Sequence, residues 1–338
     1  MRNEDELDYF LSTPTPGAKE AVSRLKGDLL LLGVGGKMGP TLARMAKRAA
    51  EEVNPSLRVI GASRFSQPAL KDRLQSWGVE TISCDLLARD ALEKLPDAEN
   101  MVFMAGWKFG SSGRESMLWA MNTYLPALVA ERFQKSRIVA FSTGNVYPFT
   151  PNQSGGPAEA DPTGPVGEYA QSCLGRERMF QYFSERFTTP CTLIRLNYAV
   201  EMRYGVLLDI GQKIFNGIPI PLAMGYVNVI WQGDANAQTL QCFDVCSSPP
   251  KIMNITGPDV LPVRWLAEEF GKRLGREPLF EGAEEPNALL SNASQALKLF
   301  GPPNASVEQI IDWIVHWIQI DGPTLNKPTR YEGRTGEF

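Results

Sequence analysis

Residues 27–50 read GDLLLLGVGGKMGPTLARMAKRAA, and this stretch decides the fold. An apolar run of strand length ends at Gly33, glycines follow at 36 and 39, and a helical stretch begins at once. Gly-x-x-Gly-x-x-Gly between a strand and a helix suits a phosphate-binding turn. The bend must be tight, the backbone must approach a pyrophosphate closely, and the helix N-terminus supplies free amide protons and a positive dipole end. A glycine triplet alone also fits a structural turn. The strand before it and the helix after it favour dinucleotide binding, with Gly33, Gly36, Lys37, Met38 and Gly39 as the contacts.

Outward from this turn, strand-length apolar runs alternate with helical stretches: LRVIGAS, ALKDRLQSWG, ETISCDL, ALEKLP, NMVFMAG, a helical run through LPALVAERFQ, then SRIVAFST. Such alternation predicts βαβ units, and continuously apolar strands predict a sheet covered on both faces. The expected class is α/β: a Rossmann-type doubly wound parallel sheet with a smaller, discontinuous C-terminal substrate lobe. Residues 1–26 read as a helical extension broken by STPTPG, 27–197 as the nucleotide domain, 198–330 as mainly the lobe, with a return to the core near 227–256, and 331–338 as a tail.

The second strand ends in Ala62, Ser63 and Arg64. An NAD site wants a carboxylate there for the ribose 2′-hydroxyl, whereas a 2′-phosphate wants an arginine and a hydroxyl. Ser63 and Arg64 therefore favour NADP over NAD, against the alternative of a solvated arginine at a strand end.

The 338 residues carry a net charge of −4, which offers no basic field for nucleic acid. No apolar run reaches the length of a membrane span and the acidic N-terminus lacks a signal-peptide pattern, so a cytoplasmic protein is expected. Five cysteines without framework spacing suit a reducing compartment. The single histidine, His316, lies in the amphipathic run VEQIIDWIVHWIQ, which leaves little for zinc or for a Ser-His or Cys-His mechanism.

With these motifs in order, the chain resembles the extended short-chain dehydrogenases/reductases, the group of nucleotide-sugar epimerases and dehydratases. The resemblance spans about residues 28–320. It makes Asp85 and Leu86 in CDL the adenine-side contacts. It also places Ala105, Gly106 and Lys108 in MAGWKFG along the cofactor, and counts Asn122 in MNTYLP, in the helix before the fifth strand, among the cofactor-binding residues. FSTGNVYPF puts Thr143 at the catalytic Ser/Thr position, where it would also hold the substrate oxygen, and GEYAQSCLGRE puts Tyr169 at the acid/base position. Asn197 in LIRLNYAV is similar to a substrate-touching asparagine, and a homodimer is implied by the resemblance alone.

One position departs from that pattern. In the family a lysine stands four residues after the tyrosine, lowers the phenol pKa and grips the nicotinamide ribose; here the residue is Cys173. A neutral thiol adds no positive field, and a thiolate would raise the phenol pKa. A packed side chain is the plainer role for Cys173, and Lys108 is the better replacement cation. Arg176 starts about 10 Å further along the helix, which predicts a partner in Glu177 or a solvent-facing side chain. Arg203, Tyr204 and Trp231 come from the stretches that would roof the substrate, or simply pack there. The expected function is an NAD(P)-dependent oxidoreductase, epimerase or dehydratase acting on a sugar or sugar-acid derivative; the rival is a cofactor-binding pseudoenzyme acting as a sensor or partner-binding module.

Overall fold

The computed structural model describes residues 1–108, 110, 113–327 and 329–336, so the last two residues of the predicted tail lie outside the described ones. Seven parallel strands form the central sheet: β1 (Leu29–Leu32), β2 (Val59–Ser63), β3 (Glu80–Ser83), β4 (Asn100–Phe103), β5 (Arg137–Thr143), β6 (Cys191–Leu196) and β7 (Lys251–Ile255). Their spatial order is β7-β6-β5-β4-β1-β2-β3. The order reverses between β1 and β4, whose registers pair Leu29 with Asn100 and Leu32 with Phe103. In such sheets ligands bind outside the carboxyl ends at that switch point.

All four residues of β1 are buried, alternating between two clusters on opposite faces of the sheet. The helix Gly39–Val53 covers one face through Leu42, Ala46 and Ala49. Helices Gly167–Phe187 and Leu125–Arg132 cover the other, where Phe180 meets Phe103 with ring centroids 5.3 Å apart.

A third cluster belongs to the smaller lobe, where helices Val206–Phe215, Val263–Leu274 and Val307–Gln319 pack together. Ser306 and Gln309 start the last of these with a reciprocal capping box. The N-terminal extension forms two helices, Glu4–Leu11 and Pro16–Ser23; the second starts inside the proline-rich break because Thr15 caps it and Pro16 suits a first helical turn. Leu7 and Leu11 of the first helix enter the lobe cluster, and its buried Asp8 accepts from Arg203 at 2.9 Å and from Arg73 at 3.1 Å.

The long helix Gly167–Phe187 is fixed against the sheet by a buried ion pair. Glu177 accepts two bonds from Arg195 of β6, at 3.0 and 2.8 Å, and one from the Ser142 hydroxyl of β5 at 2.6 Å. Breaking such a pair from one side leaves a buried charge uncompensated, so the helix register is held against both strands. No helix among the described residues is long and apolar enough to cross a membrane.

Candidate functional site

The turn after β1 explains its three glycines separately. Gly33 has φ of +86°, and a Cβ there would lie 2.6 Å from the Ala105 backbone nitrogen. A Cβ on Gly39 would lie 2.2 Å from the Val34 carbonyl, so the third glycine lets the helix pack onto its own turn. At Gly36 only the Gly33 carbonyl is near, at 3.4 Å, so the middle glycine keeps open a groove that a side chain would fill. That groove has a volume of about 760 Å³. Gly33, Gly36, Ser63, Arg64, Asp85 and Gly106 all line it, together with Lys37, Leu86 and Ala105. Arg64 is exposed there, and β2 runs into Ser63, Arg64 and Phe65 without an acidic residue.

A second cavity, of about 250 Å³, adjoins the groove where β1, β5 and β6 end. Thr143, Lys108, Met38 and Asn197 line it, as do Gly36 and Lys37, which belong to both spaces. Asn197 is buried and its side-chain nitrogen has no hydrogen-bond partner among the described residues, which leaves a donor in the cavity wall. Thr143 Oγ1 donates to Asn145 Oδ1 at 2.9 Å and accepts from the Asn145 amide at 3.2 Å. Asn145 and Tyr198 line this cavity without having been singled out in the sequence.

Tyr169 sits in the first turn of the long helix with its ring partly exposed and its phenol end buried; it lines neither space itself and meets the smaller one through Thr143 and Lys108. Its phenol bonds to the Cys173 sulfur and meets the Thr143 hydroxyl. Burial and the neighbouring thiol push the phenol well above its ordinary range, while Thr143 and the Arg176 guanidinium pull it down. The Lys108 ammonium lies over the Tyr169 ring, 5.3 Å from its centroid. Burial brings Lys108 down to about 8, and its field acts on Cys173. Cys173 itself is fully buried with Val146 and Tyr147, and burial raises its thiol pKa.

Arg176 corrects an expectation. It is 6% exposed, donates to the Phe141 carbonyl and to Asn122 Oδ1, both at 2.8 Å, and has no carboxylate partner among the described residues. Glu177 belongs to Arg195 instead. Helical side chains fold back toward the N-terminus, and Gly106 leaves the room: a Cβ there would lie 2.6 Å from Arg176 Nη2. Asn122, in a π-helical turn (Ala120–Tyr124), does not reach either cavity. Its amide clamps both backbone groups of Trp107 at 2.9 Å and donates to Ser172 at 3.0 Å, so it braces the loop that carries Lys108. Tyr204 lines the smaller cavity, Arg203 lines the groove, and Trp231 is packing, with its ring 4.9 Å from that of Trp313. His316 is exposed and its ring nitrogen lies 2.8 Å from the Met1 carbonyl, away from the site.

Comparison with known proteins places this geometry. The NAD dependent epimerase/dehydratase family matches residues 29–200, about half of the chain. No curated protein matches the chain. Among solved structures, a UDP-glucuronic acid 4-epimerase mutant from Bacillus cereus, in complex with NAD and a fluorinated UDP-sugar, has a TM-score of 0.72 at 16% identity. That match covers 86% of this chain and 99% of the other. A dTDP-glucose 4,6-dehydratase from Bacillus anthracis, in complex with NAD, scores 0.72 at 14% identity, over 87% and 97% of the two chains. An epimerase from Methanothermobacter thermautotrophicus scores 0.72 at 15% identity, over 90% and 96%. At these identities the likeness is one of fold.

Cys173 is a packed thiol, and the pKa that burial raises disfavours the thiolate a nucleophile needs. In the native protein at neutral pH, alkylation followed by peptide mapping is expected to leave Cys173 unlabelled, while all five thiols react after denaturation. Rapid native labelling of Cys173 would show an activated thiolate and contradict this assignment.

Proposed function

Because the chain belongs to the NAD dependent epimerase/dehydratase family, we propose that it is an NAD(P)-dependent enzyme of epimerase, dehydratase or reductase type acting on a sugar or sugar-acid derivative. The observation that carries this reading is Lys108 laid over Tyr169, whose phenol meets Thr143, with Lys108 and Thr143 both in the wall of the smaller cavity that adjoins the groove. The groove fits a dinucleotide because Gly36 keeps it clear and Gly33, Asp85, Leu86, Ala105 and Gly106 line it. A bound nicotinamide supplies hydride chemistry there; the chain supplies the rest.

Tyr169 exchanges a proton with the reacting hydroxyl or carbonyl oxygen, and Thr143 holds that oxygen in place. A phenol titrates near pH 10 in water and needs positive charge to serve as a base at neutral pH. Lys108 replaces the charge that Cys173 cannot provide, from a loop instead of from the helix. Arg176 adds a fixed positive background from beneath, and Asn145 orients the Thr143 hydroxyl. Asn197, with its unpaired nitrogen, donates to a substrate oxygen.

The dinucleotide we propose is NADP. The two solved relatives above whose complexes hold NAD do not support that preference; it rests on Ser63 and Arg64 at the tip of β2 and on the absence of an acid there. A second reading, a cofactor-binding protein without turnover, is favoured by Cys173 and by the raised phenol.

Two measurements test these assignments. Tyr169→Phe is expected to abolish dinucleotide-linked turnover, and Lys108→Met to lower kcat/KM by about 10²–10⁴-fold, as for loss of a group supporting acid-base catalysis. The lysine charge is present below its lowered pKa and lost above it, so kcat/KM falls as pH rises through about 8, and Lys108→Arg removes that limb. Turnover indifferent to both residues would refute the roles; dinucleotide binding without turnover on a broad sugar panel would support the second reading. In binding titrations NADP is expected to bind at least about tenfold more tightly than NAD, with Arg64→Ala erasing the difference. Tighter NAD binding would overturn the phosphate assignment.

A further inference from the structure

Resting on the dinucleotide reading above, we infer that the substrate is a small free hydroxy-carboxylate and not a nucleotide-linked sugar. The cavity beside Thr143 measures about 250 Å³, carries two lysines and, among the described residues, no acidic side chain in its wall, and takes Thr329 of the C-terminal strap into one side.

Size comes first. Pockets for drug-sized ligands run from about 300 to 1,000 Å³, and this one has about 250 Å³ that must also admit the reacting end of the cofactor. The adjoining groove is taken by the dinucleotide in this reading, so a substrate nucleotide would have to leave on the lobe side. There the strap stands in the way. The Leu325 amide bonds to the Arg203 carbonyl at 3.0 Å. The Thr329 amide and hydroxyl donate to Asp209 at 2.8 and 2.5 Å, and Thr329 forms part of the cavity wall. Tyr331 is 2% exposed within the lobe core. Arg334 reaches the carbonyls of Ala223 and Asn287 and lies over the Phe149 ring at 4.4 Å. A Cβ on Gly336 would lie 2.3 Å from the Val166 carbonyl, so the strap ends hard against the start of the Tyr169 helix. The seam left beneath it measures about 20 Å³, room for about one water.

Charge comes second. Lys37 Nζ donates to the Ala199 carbonyl at 2.9 Å and lies 4.6 Å from the Tyr204 ring centroid, which uses one of the three protons an ammonium offers. The nearby carboxylate that acts on it, Glu201, lies in the groove wall and is bonded to Arg203. Burial holds both Lys37 and Lys108 down to about 8, so each gains from an anion in the cavity. With Lys108 committed to Tyr169, Lys37 is the carboxylate anchor. The Asn197 nitrogen is left for a hydroxyl, and Met104, Phe141, Leu196 and Val206 enclose the carbon chain.

Calorimetric titration of the full-length protein, bare and loaded with dinucleotide, tests the inference. The probes are hexonates and hexuronates of the gluco, galacto and manno series, the matching neutral hexoses, and UDP-linked glucuronate and galacturonate. At least one free acid is expected to bind about tenfold or more tightly than its neutral counterpart and than either UDP-linked acid, and Lys37→Met to erase the preference for the acid. Equal or tighter binding of a UDP-linked sugar, equal binding of neutral sugars, or binding of no free acid would overturn it. Failure of the underlying reading shows separately, as wild-type protein that binds neither NAD nor NADP in either redox state, and the titration of the bare protein still decides the cavity's preference.

Discussion

A buried phenol next to a thiol holds its proton tightly, and everything at this site depends on how much positive charge is brought to Tyr169. Burial and Cys173 raise its pKa; Arg176 and the Thr143 hydroxyl oppose them; Lys108 lies across the ring. None of these groups is held by the tyrosine. Each is positioned by a different part of the fold, so the charge balance is a property of the architecture.

Three supports carry that balance. The Glu177–Arg195 pair, with Ser142, locks the Tyr169 helix to β5 and β6 and so fixes where the phenol stands. The Asn122 clamp on Trp107 fixes the base of the loop that delivers Lys108, and the same amide receives Arg176. Gly106 completes the set by what it lacks, since any side chain would displace the Arg176 guanidinium. In the proposed function a cation carried by the loop takes over from the one that the resemblance places on the helix. The exchange leaves the helix position free for a small packed side chain, and Cys173 fills it among Val146 and Tyr147.

The sheet was legible because its signals are local. Four consecutive leucines, a glycine turn and an amphipathic helix each declare themselves within a few residues, and their order settles the topology. The break at residues 12–17 was legible for the same reason. What escaped was three-dimensional. Arg176 reads on helical spacing alone as a partner of Glu177 or a solvent-facing residue, because the space it occupies is made by Gly106, seventy residues earlier. Asn145 escaped because its role is to hold Thr143 from the next turn. Residues from 331 onward read as a tail, yet residues 325–327 and 329–336 pack as a strap, held by partners such as Asp209, Asn287 and Val166, which no periodicity connects to it. Arg203 read as a residue of the substrate roof, yet its carboxylate partners include Asp8 and Glu4 at the opposite end of the chain.

The claim that a loop lysine stands in for a helix lysine is tested most directly by moving the charge back. Turnover should be measured for Lys108→Met, Cys173→Lys and the double variant, with thermal unfolding as a control for folding. If Lys108 supplies the missing charge, Lys108→Met is crippled and the double variant recovers most of the lost rate, because the lysine at position 173 restores the cation beside Tyr169. A double variant that folds, binds dinucleotide and stays as slow as Lys108→Met would contradict the account.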